Sequence, residues 1–371
     1  MNDIIIDKAI LHILDTSIDA PVLADKLMSF SPQANEFLTT HIARAMEDGD
    51  IKKGGFKKSS SKAAINNNQD VAPFDVEDTI HMVEPGLATD AIEVTDNFDT
   101  EGFKYAISNL EPSNFIIVSQ QLAQNIFDLA VVNPSIPAAD VLMCHFKYDN
   151  GIYFGLLKFN YKQSYIHHFA MVGDEKETGI VQQNATIANE NQKLDEFAFI
   201  RLDDFSVLIK EKKYEINGAK EFYLSNRILN VTTDLSPKTK VKILEKAAEK
   251  VIKEYYGDDP LKVSQLKTEL KTCVDESSIV EIDRITNSVF DGNFSAQQRY
   301  KDEVAQKGIS GRAFEVTSEI EKTVSRKQKI TTDTGIEISL PVDYLENQKK
   351  IEFIMNEDGT MSILIKAVNL R

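Results

Sequence analysis

The chain has 371 residues, of which 42% are hydrophobic, and a formal net charge of −16. This length suits two or three domains, and this hydrophobic content permits a sizeable core. A sequence pI of about 4.9 argues against a protein with a uniformly basic surface that coats DNA, but it leaves room for a local basic face.

The N-terminus and the cysteines indicate a soluble protein of the cytoplasm. Asp3 and Asp7 lie where a signal peptide carries only positive charge, and no apolar run approaches the roughly 20 residues that cross a bilayer. Cys144 and Cys273 are far apart in sequence and have no partner at metal-ligand spacing. This spacing predicts free thiols in a reducing compartment.

The first 50 residues predict one apolar element followed by one helix. Residues 4–14 form an apolar-rich run that is typical of a strand or of the start of a buried helix. Ser31 followed by Pro32 predicts a helix N-terminus, because serine caps helices and proline fits their first position. We expect this helix to end near Gly49.

A lysine-rich stretch, IKKGGFKKSSSK at residues 51–62, follows this helix and contains no acidic residue. We expect it to be a connector. It leads into residues 63–103, which contain ten acidic residues and no Lys or Arg. The next lysine is Lys104. Segment 59–103 is therefore predicted to be acidic and partly flexible.

The middle of the chain predicts a helix and then an antiparallel sheet. Apolar residues recur at three- and four-residue steps over Pro112–Val132, which is typical of an amphipathic helix. Residues 138–230 predict one meandering antiparallel sheet that includes the segment EFYLSNRIL as a strand. Asp149-Asn150-Gly151 and Asn217-Gly218 are its expected hairpin turns.

The remainder predicts helices and then a small β-rich tail. Ser236 and Gly257 should bound one helix, and three shorter helices are expected at Pro260–Cys273, Ser278–Phe290 and Ser295–Gln306. We predict an α+β fold, with a mainly antiparallel sheet region, a helical layer and a C-terminal β-rich subdomain. The expected boundaries divide the chain into residues 1–110, 111–308 and 309–371.

Motifs of catalysis and of metal binding are missing from the sequence. Phosphate-binding loops, the nucleophile elbow and zinc-ligand spacings do not occur, so we predict no catalytic residue, metal or cofactor. His167 and His168 are neighbours on an expected strand and should point to opposite faces, one inside and one outside. His12 and His145 lie in apolar runs and are expected to be core histidines.

The acidic residues between 70 and 101 lack any fixed spacing. A solvated acidic linker therefore explains them better than a metal-dependent nuclease site does.

Three local basic patches are candidate contacts for nucleic-acid phosphates. One is a row with four-residue spacing, which places its lysines along one helix face. The alternative for each patch is a lysine-rich exposed helix face or edge strand that keeps the protein soluble. The three patches are the helix row Lys238, Lys242, Lys246 and Lys250, the group Lys322, Arg326, Lys327 and Lys329, and the connector lysines Lys52, Lys53, Lys57 and Lys58.

The order of several motifs resembles the bacterial nucleoid-associated protein family of roughly 37-kilodalton chains. Within residues 212–259 a tyrosine-isoleucine-glycine turn precedes a leucine-serine pair, an isoleucine-leucine pair and a serine-opened lysine-rich helix. The opening KAILHILD, residues 8–15, and the tail from DTGIEISLP onwards are also similar. The motif residues here are Tyr214, Ile216, Gly218, Leu224, Ser225, Ile228, Leu229 and Ser236.

This resemblance implies association with the bacterial nucleoid and binding of DNA, and it supplies no catalytic residues. Our leading hypothesis is a non-enzymatic protein of the cytoplasmic nucleoid that contacts double-stranded DNA non-specifically. The helix row is the preferred contact surface, and the connector lysines are auxiliary. The alternative is a protein-interaction module that other nucleoid proteins recruit; an enzyme with scattered carboxylates ranks third. An oligomeric state stays open.

Overall fold

The computed structural model describes residues 4–57, 100–109, 111–187, 189–257, 259–324, 328–331, 334–341, 344, 350–358 and 360–369. The chain forms two compact units. We call them the sheet unit, Met1–Ala45 with Lys53–Asp234, and the helical unit, Met46–Lys52 with Leu235–Arg371. The predicted α+β class is confirmed, whereas the three-part division of the chain stays a prediction.

A seven-stranded antiparallel sheet forms the centre of the sheet unit. The strands of this part of the chain are β1 (Ile5–Leu14), β2 (Lys52–Phe56), β3 (Ala139–Tyr148), β4 (Gly151–Asn160), β5 (Lys162–Val172), β6 (Glu175–Thr186), β7 (Glu196–Arg201), β8 (Val207–Lys210), β9 (Tyr214–Ile216), β10 (Ala219–Glu221) and β11 (Val231–Thr233). The order in the sheet is β1-β3-β4-β7-β8-β2-β11. Buried runs on β3 and β4 fit strands that are covered on both faces.

Both predicted hairpin turns are confirmed. Asp149 and Asn150 have φ values of 45° and 61° between β3 and β4, and Asn217 and Gly218 have φ values of 50° and 80° between β9 and β10. Aspartate, asparagine and glycine tolerate this left-handed region better than other residues. The turns therefore fix the register of the two hairpins.

Three helices belong to the sheet unit: α1 (Pro32–Met46), α2 (Thr100–Ser108) and α3 (Pro112–Val132). The predicted start of α1 is confirmed, because the hydroxyl of Ser31 accepts a hydrogen bond from the backbone N–H of Ala34 at 3.1 Å. Helix α2 was not predicted, and it begins inside the segment that we expected to be flexible. Residues 59–99 of that segment lie outside the described residues.

Helix α3 is long and apolar enough to cross a membrane by length and composition alone. Its apolar residues nevertheless pack into the main core of the sheet unit, which is the arrangement of a core helix. The expectation that no apolar run approaches membrane-spanning length is therefore corrected, and core packing explains the composition. The buried residues of α3 are Phe115, Ser119, Leu122, Ala123, Ile126, Phe127, Leu129 and Ala130.

The expectation of one continuous meander over residues 138–230 is wrong in three places. Strands β5 and β6 pair with each other in a sheet of their own, as do β9 and β10. The segment EFYLSNRIL is not a strand, because it contains a π-helical turn at Leu224–Ile228. In this turn the backbone N–H of Leu229 bonds to the carbonyl of Leu224 at 2.9 Å.

The helical unit consists of helices around a second core. The helices are α4 (Pro237–Tyr256), α5 (Pro260–Ser277), α6 (Ile282–Val289), α7 (Phe294–Gln306) and α8 (Ser318–Val324). The bounds of α4 are those predicted, since Ser236 caps its start and Gly257 adopts φ 64° at its end. The helix expected over 278–290 begins later, because strand β12 (Ile279–Glu281) pairs with β13 (Ala313–Glu315).

The described part of the C-terminal tail contains two hairpins, which agrees with the predicted β-rich character of this region. They pair β14 (Gln328–Thr331) with β15 (Glu337–Leu340), and β16 (Ile351–Met355) with β17 (Met361–Ile365). In the second hairpin the backbone N–H of Asn356 bonds to the carbonyl of Thr360 at 2.8 Å. Asn356 and Thr360 therefore close the connection between β16 and β17.

Candidate nucleic-acid interface

The predicted lysine row lies on the exposed side of α4. Lys238, Lys242, Lys246 and Lys250 are all exposed, while the opposite side of the helix is buried in the core of the helical unit. Lysines four residues apart follow one face because 3.6 residues make a helical turn. Lys240 points elsewhere, with its ammonium 5.4 Å from the ring centre of Phe314.

Two lysines of the row form ion pairs. The ammonium of Lys238 donates to Asp50 at 2.7 Å, and this bond raises the pKa of Lys238. The ammonium of Lys250 donates to Glu303 at 2.7 Å, which lowers the pKa of Glu303. Arg299 also pairs with Glu303 at 3.1 Å, so Glu303 keeps a cationic partner if Lys250 moves away.

Lys242 and Lys246 differ from their neighbours in the row. Both are exposed, and within the described parts of the chain neither forms an ion pair with an acidic side chain. Their charge therefore faces solvent. These two residues form the centre of the cationic surface of α4.

The second patch is described only in part. Lys322 is exposed on α8, and Lys329 lies on β14 opposite Ser339. Helix α8 lies close to the start of α4, because Glu319 accepts a hydrogen bond from the backbone N–H of Gly49 at 3.1 Å and the carbonyl of Gly49 accepts from Lys238 at 3.0 Å. Arg326 and Lys327 lie outside the described residues.

The third patch, the connector lysines, does not lie in a connector over residues 52–56, so that expectation is wrong there. These residues form strand β2, which pairs with β11. Phe56, the aromatic residue among the lysines, packs against the ring of Phe103 at 6.0 Å between centroids and against the ammonium of Lys104 at 5.4 Å. Phe56 thus contributes to the protein core.

The lysines of this patch have different surroundings. Lys53 is exposed, whereas Lys52 and Lys57 are half-buried on and beside β2. Lys58 lies outside the described residues. The structure therefore places Lys52 and Lys53 on β2, between β8 and the edge strand β11, and the role of the lysines of this patch as contacts stays a prediction.

A buried polar cluster in the sheet unit escaped the sequence analysis. The ammonium of Lys158 donates to Glu196 at 2.8 Å, and both side chains are almost fully buried. The hydroxyl of Tyr214 donates to the same carboxylate oxygen at 3.0 Å, and the ammonium of Lys158 lies 5.6 Å from the ring centre of Tyr223. Burial lowers the pKa of Lys158, and the charge of Glu196 opposes this shift.

Several motif residues lie near this cluster in the sheet unit, whereas Ser236 caps α4 in the helical unit. Tyr214 contacts Glu196 directly, and the backbone N–H of Ser225 in the π-helical turn donates to Glu211 at 2.9 Å. Ile216, Leu224, Ile228 and Leu229 are buried in the same core. A signal was present in the sequence, because Lys158 and Glu196 are charged residues within apolar strand runs. The motif therefore has a structural role in the sheet unit.

The histidines confirm one prediction and correct another. His12 and His145 are buried, as expected, and burial lowers the pKa of each to about 4. His12 accepts from the backbone N–H of Ala24 at 3.0 Å through Nδ1. His167 and His168 occupy adjacent positions on β5 and are both exposed, so the expectation that one of them faces inward is wrong.

The cysteines are buried free thiols, as the sequence predicts, and burial raises the pKa of both. Among the residues that the structure describes, no group of three or more histidine, cysteine, aspartate or glutamate side chains has metal-binding geometry.

The fold and the lysine row define an α+β protein with a cationic surface on one helix. The family model described as nucleoid-associated protein YejK matches residues 10–371 of the chain. The chain therefore belongs to this family of bacterial nucleoid-associated proteins. A comparison with curated proteins gives no match.

Proposed function

We propose that this protein binds double-stranded DNA in the cytoplasmic nucleoid and performs no catalysis. Lysine side chains contact backbone phosphates, with little sequence preference, because phosphate contacts carry no base information. The exposed lysine row of α4 carries this proposal. Membership in the nucleoid-associated family supports it.

The dimensions of the row suit a DNA backbone. From Lys238 to Lys250 the helix rises about 18 Å, at about 1.5 Å per residue. B-DNA presents one phosphate per strand for each rise of about 3.4 Å, so four lysines in steps of about 6 Å can each approach a different phosphate. Lys242 and Lys246 are available without breaking an ion pair to a described residue.

The two paired lysines can join the contact at small cost. An exposed ion pair contributes only about 0–1 kcal/mol to stability, and the pair of Lys238 with Asp50 is of this kind, with side chains that are 54% and 39% exposed. The side chain of Glu303 is only 8% exposed, but it keeps Arg299 as a cationic partner when Lys250 turns away. A phosphate can therefore replace Asp50 or Glu303 as the partner. Additional contacts are proposed for Lys322, Arg326, Lys327, Lys329, Lys52, Lys53, Lys57 and Lys58.

Binding measured across a salt series tests this proposal. For wild-type protein and a duplex of arbitrary sequence, the logarithm of the binding constant should fall linearly with the logarithm of salt concentration. The four contacts of the row contribute about −3.6 to this slope, at about −0.9 per phosphate, and any additional phosphate contacts make it steeper. The double variant Lys242→Gln/Lys246→Gln should reduce the steepness by about 2.

A charge-matched control distinguishes the effect of the lysine row on DNA binding from the effect of net charge. Lys147 and Lys220 are exposed lysines on β3 and β10, and Lys147→Gln/Lys220→Gln removes the same charge without touching α4. We expect its slope to equal that of wild type. An equal loss in both double variants would contradict the assignment to α4. No binding at low salt would contradict direct DNA contact and favour recruitment by another nucleoid protein.

A further inference from the structure

The cationic surface of α4 contains an acidic side chain, Glu249. This residue lies three positions after Lys246 and seven after Lys242, and Lys253 follows it by four. Residues three or four apart on a helix are neighbours, with Cβ atoms about 5–6 Å apart, and residues seven apart lie two turns away on the same side. Glu249 is exposed, as are these three lysines. Its carboxylate therefore lies on the face that carries the lysine row.

The other two glutamates of α4 are neutralised by cations from neighbouring helices. The carboxylate of Glu245 accepts a hydrogen bond from the ammonium of Lys267 on α5, and that of Glu254 pairs with Arg299 on α7 at 3.3 Å. Glu249 forms no ion pair with any residue that the structure describes. Its charge is therefore directed to solvent without a compensating cation from the described chain.

This charge alters the electrostatic balance of the lysine row. Within the described chain, Lys242 and Lys246 are the two lysines of the row that have no acidic partner. One carboxylate on the same face offsets half of the charge that these two ammonium groups present. A DNA backbone that approaches the row is therefore attracted by the lysines and repelled by Glu249.

A glutamate at this position can also stabilise the helix itself. Glutamate followed four residues later by lysine supports an isolated helix through an ion pair, and Glu249 and Lys253 have this spacing. The carboxylate of Glu249 makes no such pair with Lys253 in the structure. The geometry therefore favours an effect of Glu249 on ligands of this face over an effect on the helix.

We propose that Glu249 limits the affinity of this protein for DNA, because its carboxylate opposes the phosphates that the lysine row attracts. This inference rests on the proposed function, since it concerns the same surface. An ionised carboxylate is a hydrogen-bond acceptor only, and the phosphate oxygens that the lysines contact are acceptors as well. No hydrogen bond can therefore offset the repulsion, and the surface binds more weakly than its lysines alone would.

Affinity for one duplex of arbitrary sequence, measured by fluorescence anisotropy at low salt, tests this role. Glu249→Gln removes the charge and keeps the shape of the side chain. It should raise the affinity by about threefold, as expected when one repulsive charge several Å from a phosphate is lost in water. The gain should shrink as salt is added, because salt screens exposed charges.

Charge reversal at the same position gives a second measurement. Glu249→Lys extends the row by one cation, so it should raise the affinity by about tenfold at low salt. It should also make the salt slope steeper by about 0.9, the contribution of one further phosphate contact. A slope equal to that of wild type would overturn the placement of Glu249 at the DNA contact.

Glu36 provides the matched control. It is an exposed glutamate on α1 in the sheet unit, and Glu36→Gln makes the same change in net charge outside α4. Its affinity for the duplex should equal that of wild type. An equal gain in Glu36→Gln and Glu249→Gln would show an effect of net charge alone and would overturn the proposal. Urea denaturation of each variant checks that the fold is retained.

The variant Lys242→Gln/Lys246→Gln separates failure of this inference from failure of the proposed function. If it binds more weakly than wild type while Glu249→Gln binds equally, the row contacts DNA and Glu249 does not limit the affinity. If both bind as wild type does, α4 does not contact DNA and both proposals fail.

A different role for Glu249 would appear as a sequence preference. Glutamate can accept a hydrogen bond from the N4 amino group of cytosine in the major groove, and such a contact would attract DNA. Wild-type protein should bind G·C-rich and A·T-rich duplexes equally. A preference of wild type for G·C pairs that Glu249→Ala abolishes would assign base recognition to Glu249 and overturn its limiting role.

Discussion

At the scale of single residues, Lys158 and Glu196 show how a charged pair is accommodated in the core of the sheet unit. Their exposed fractions are 1% and 0%. Transfer of two charges from water costs several kcal/mol for each, and only a close partner and further hydrogen bonds offset that cost. Tyr214 supplies one such bond to Glu196. Each of the two charges therefore depends on the other to be stable in the core.

This dependence predicts a non-additive response to substitution. Lys158→Met should destabilise the protein by about 3–5 kcal/mol, because it leaves the carboxylate of Glu196 buried without its cation. The double variant Lys158→Met/Glu196→Leu should recover much of that loss, since it removes both charges. Urea denaturation of wild type, Lys158→Met, Glu196→Leu and the double variant provides a double-mutant cycle. Additive losses would show that the two residues act independently.

At the scale of secondary structure, two adjacent glycines of β2 differ in the space that surrounds them. A β-carbon at Gly54 would lie 2.4 Å from the carbonyl oxygen of Thr232, whereas a β-carbon at Gly55 would meet nothing within 4 Å. Gly54→Ala should therefore displace β11 and cost about 1–3 kcal/mol, as overpacking does. Gly55→Ala should change the free energy of unfolding by less than about 0.5 kcal/mol.

Urea denaturation of the two alanine variants measures this difference. Because the residues are neighbours on one strand, a loss of glycine flexibility in the unfolded chain affects both equally. Similar midpoints for Gly54→Ala and Gly55→Ala would contradict the close approach of β11.

Strand β2 also shows which features of the fold the sequence could not predict. Ser31, Ser236 and the Asn217-Gly218 turn are predictable because a cap or a tight turn depends on residues that are close in sequence. Strand β2 is not, because KKGGF lacks alternating apolar residues and becomes a strand by pairing with residues such as Thr232, 177 positions from Gly55.

Long-range contact also limited prediction of the lysine row. Its helical spacing followed from sequence, and the exposure of all four lysines agrees with it. The ion pairs of Lys238 with Asp50 and of Lys250 with Glu303 join residues 188 and 53 positions apart. Those pairings distinguish Lys242 and Lys246 from the rest, and no local pattern encodes them.

At the scale of the whole molecule, buried histidines make stability depend on pH. His12 donates through Nε2 to the hydroxyl of Ser119 at 3.0 Å, because its Nδ1 accepts from a backbone N–H. His145 uses Nε2 to donate to the carbonyl of Ile107 at 3.0 Å. Both rings are therefore neutral in the fold, and burial lowers the pKa of each to about 4.

Acidification should destabilise the protein between pH 6.5 and 4. In this range the unfolded chain protonates both histidines near their ordinary pKa of about 6.5, whereas the folded chain does not. The unfolded state then binds more protons, so the free energy of unfolding falls as pH falls, by roughly 2–3 kcal/mol for each histidine at pH 4. Below the folded pKa these two residues cause no further loss.

The slope of stability against pH is the quantity that isolates this effect. Urea denaturation at several pH values should give a shallower slope for His145→Gln than for wild type, because glutamine keeps a donor for Ile107 but does not titrate. His168→Gln is the matched control, since His168 is exposed on β5, and its slope should equal that of wild type. Because a change in absolute stability shifts the whole curve without altering its slope, a slope unchanged by His145→Gln would show that His145 does not contribute to acid destabilisation.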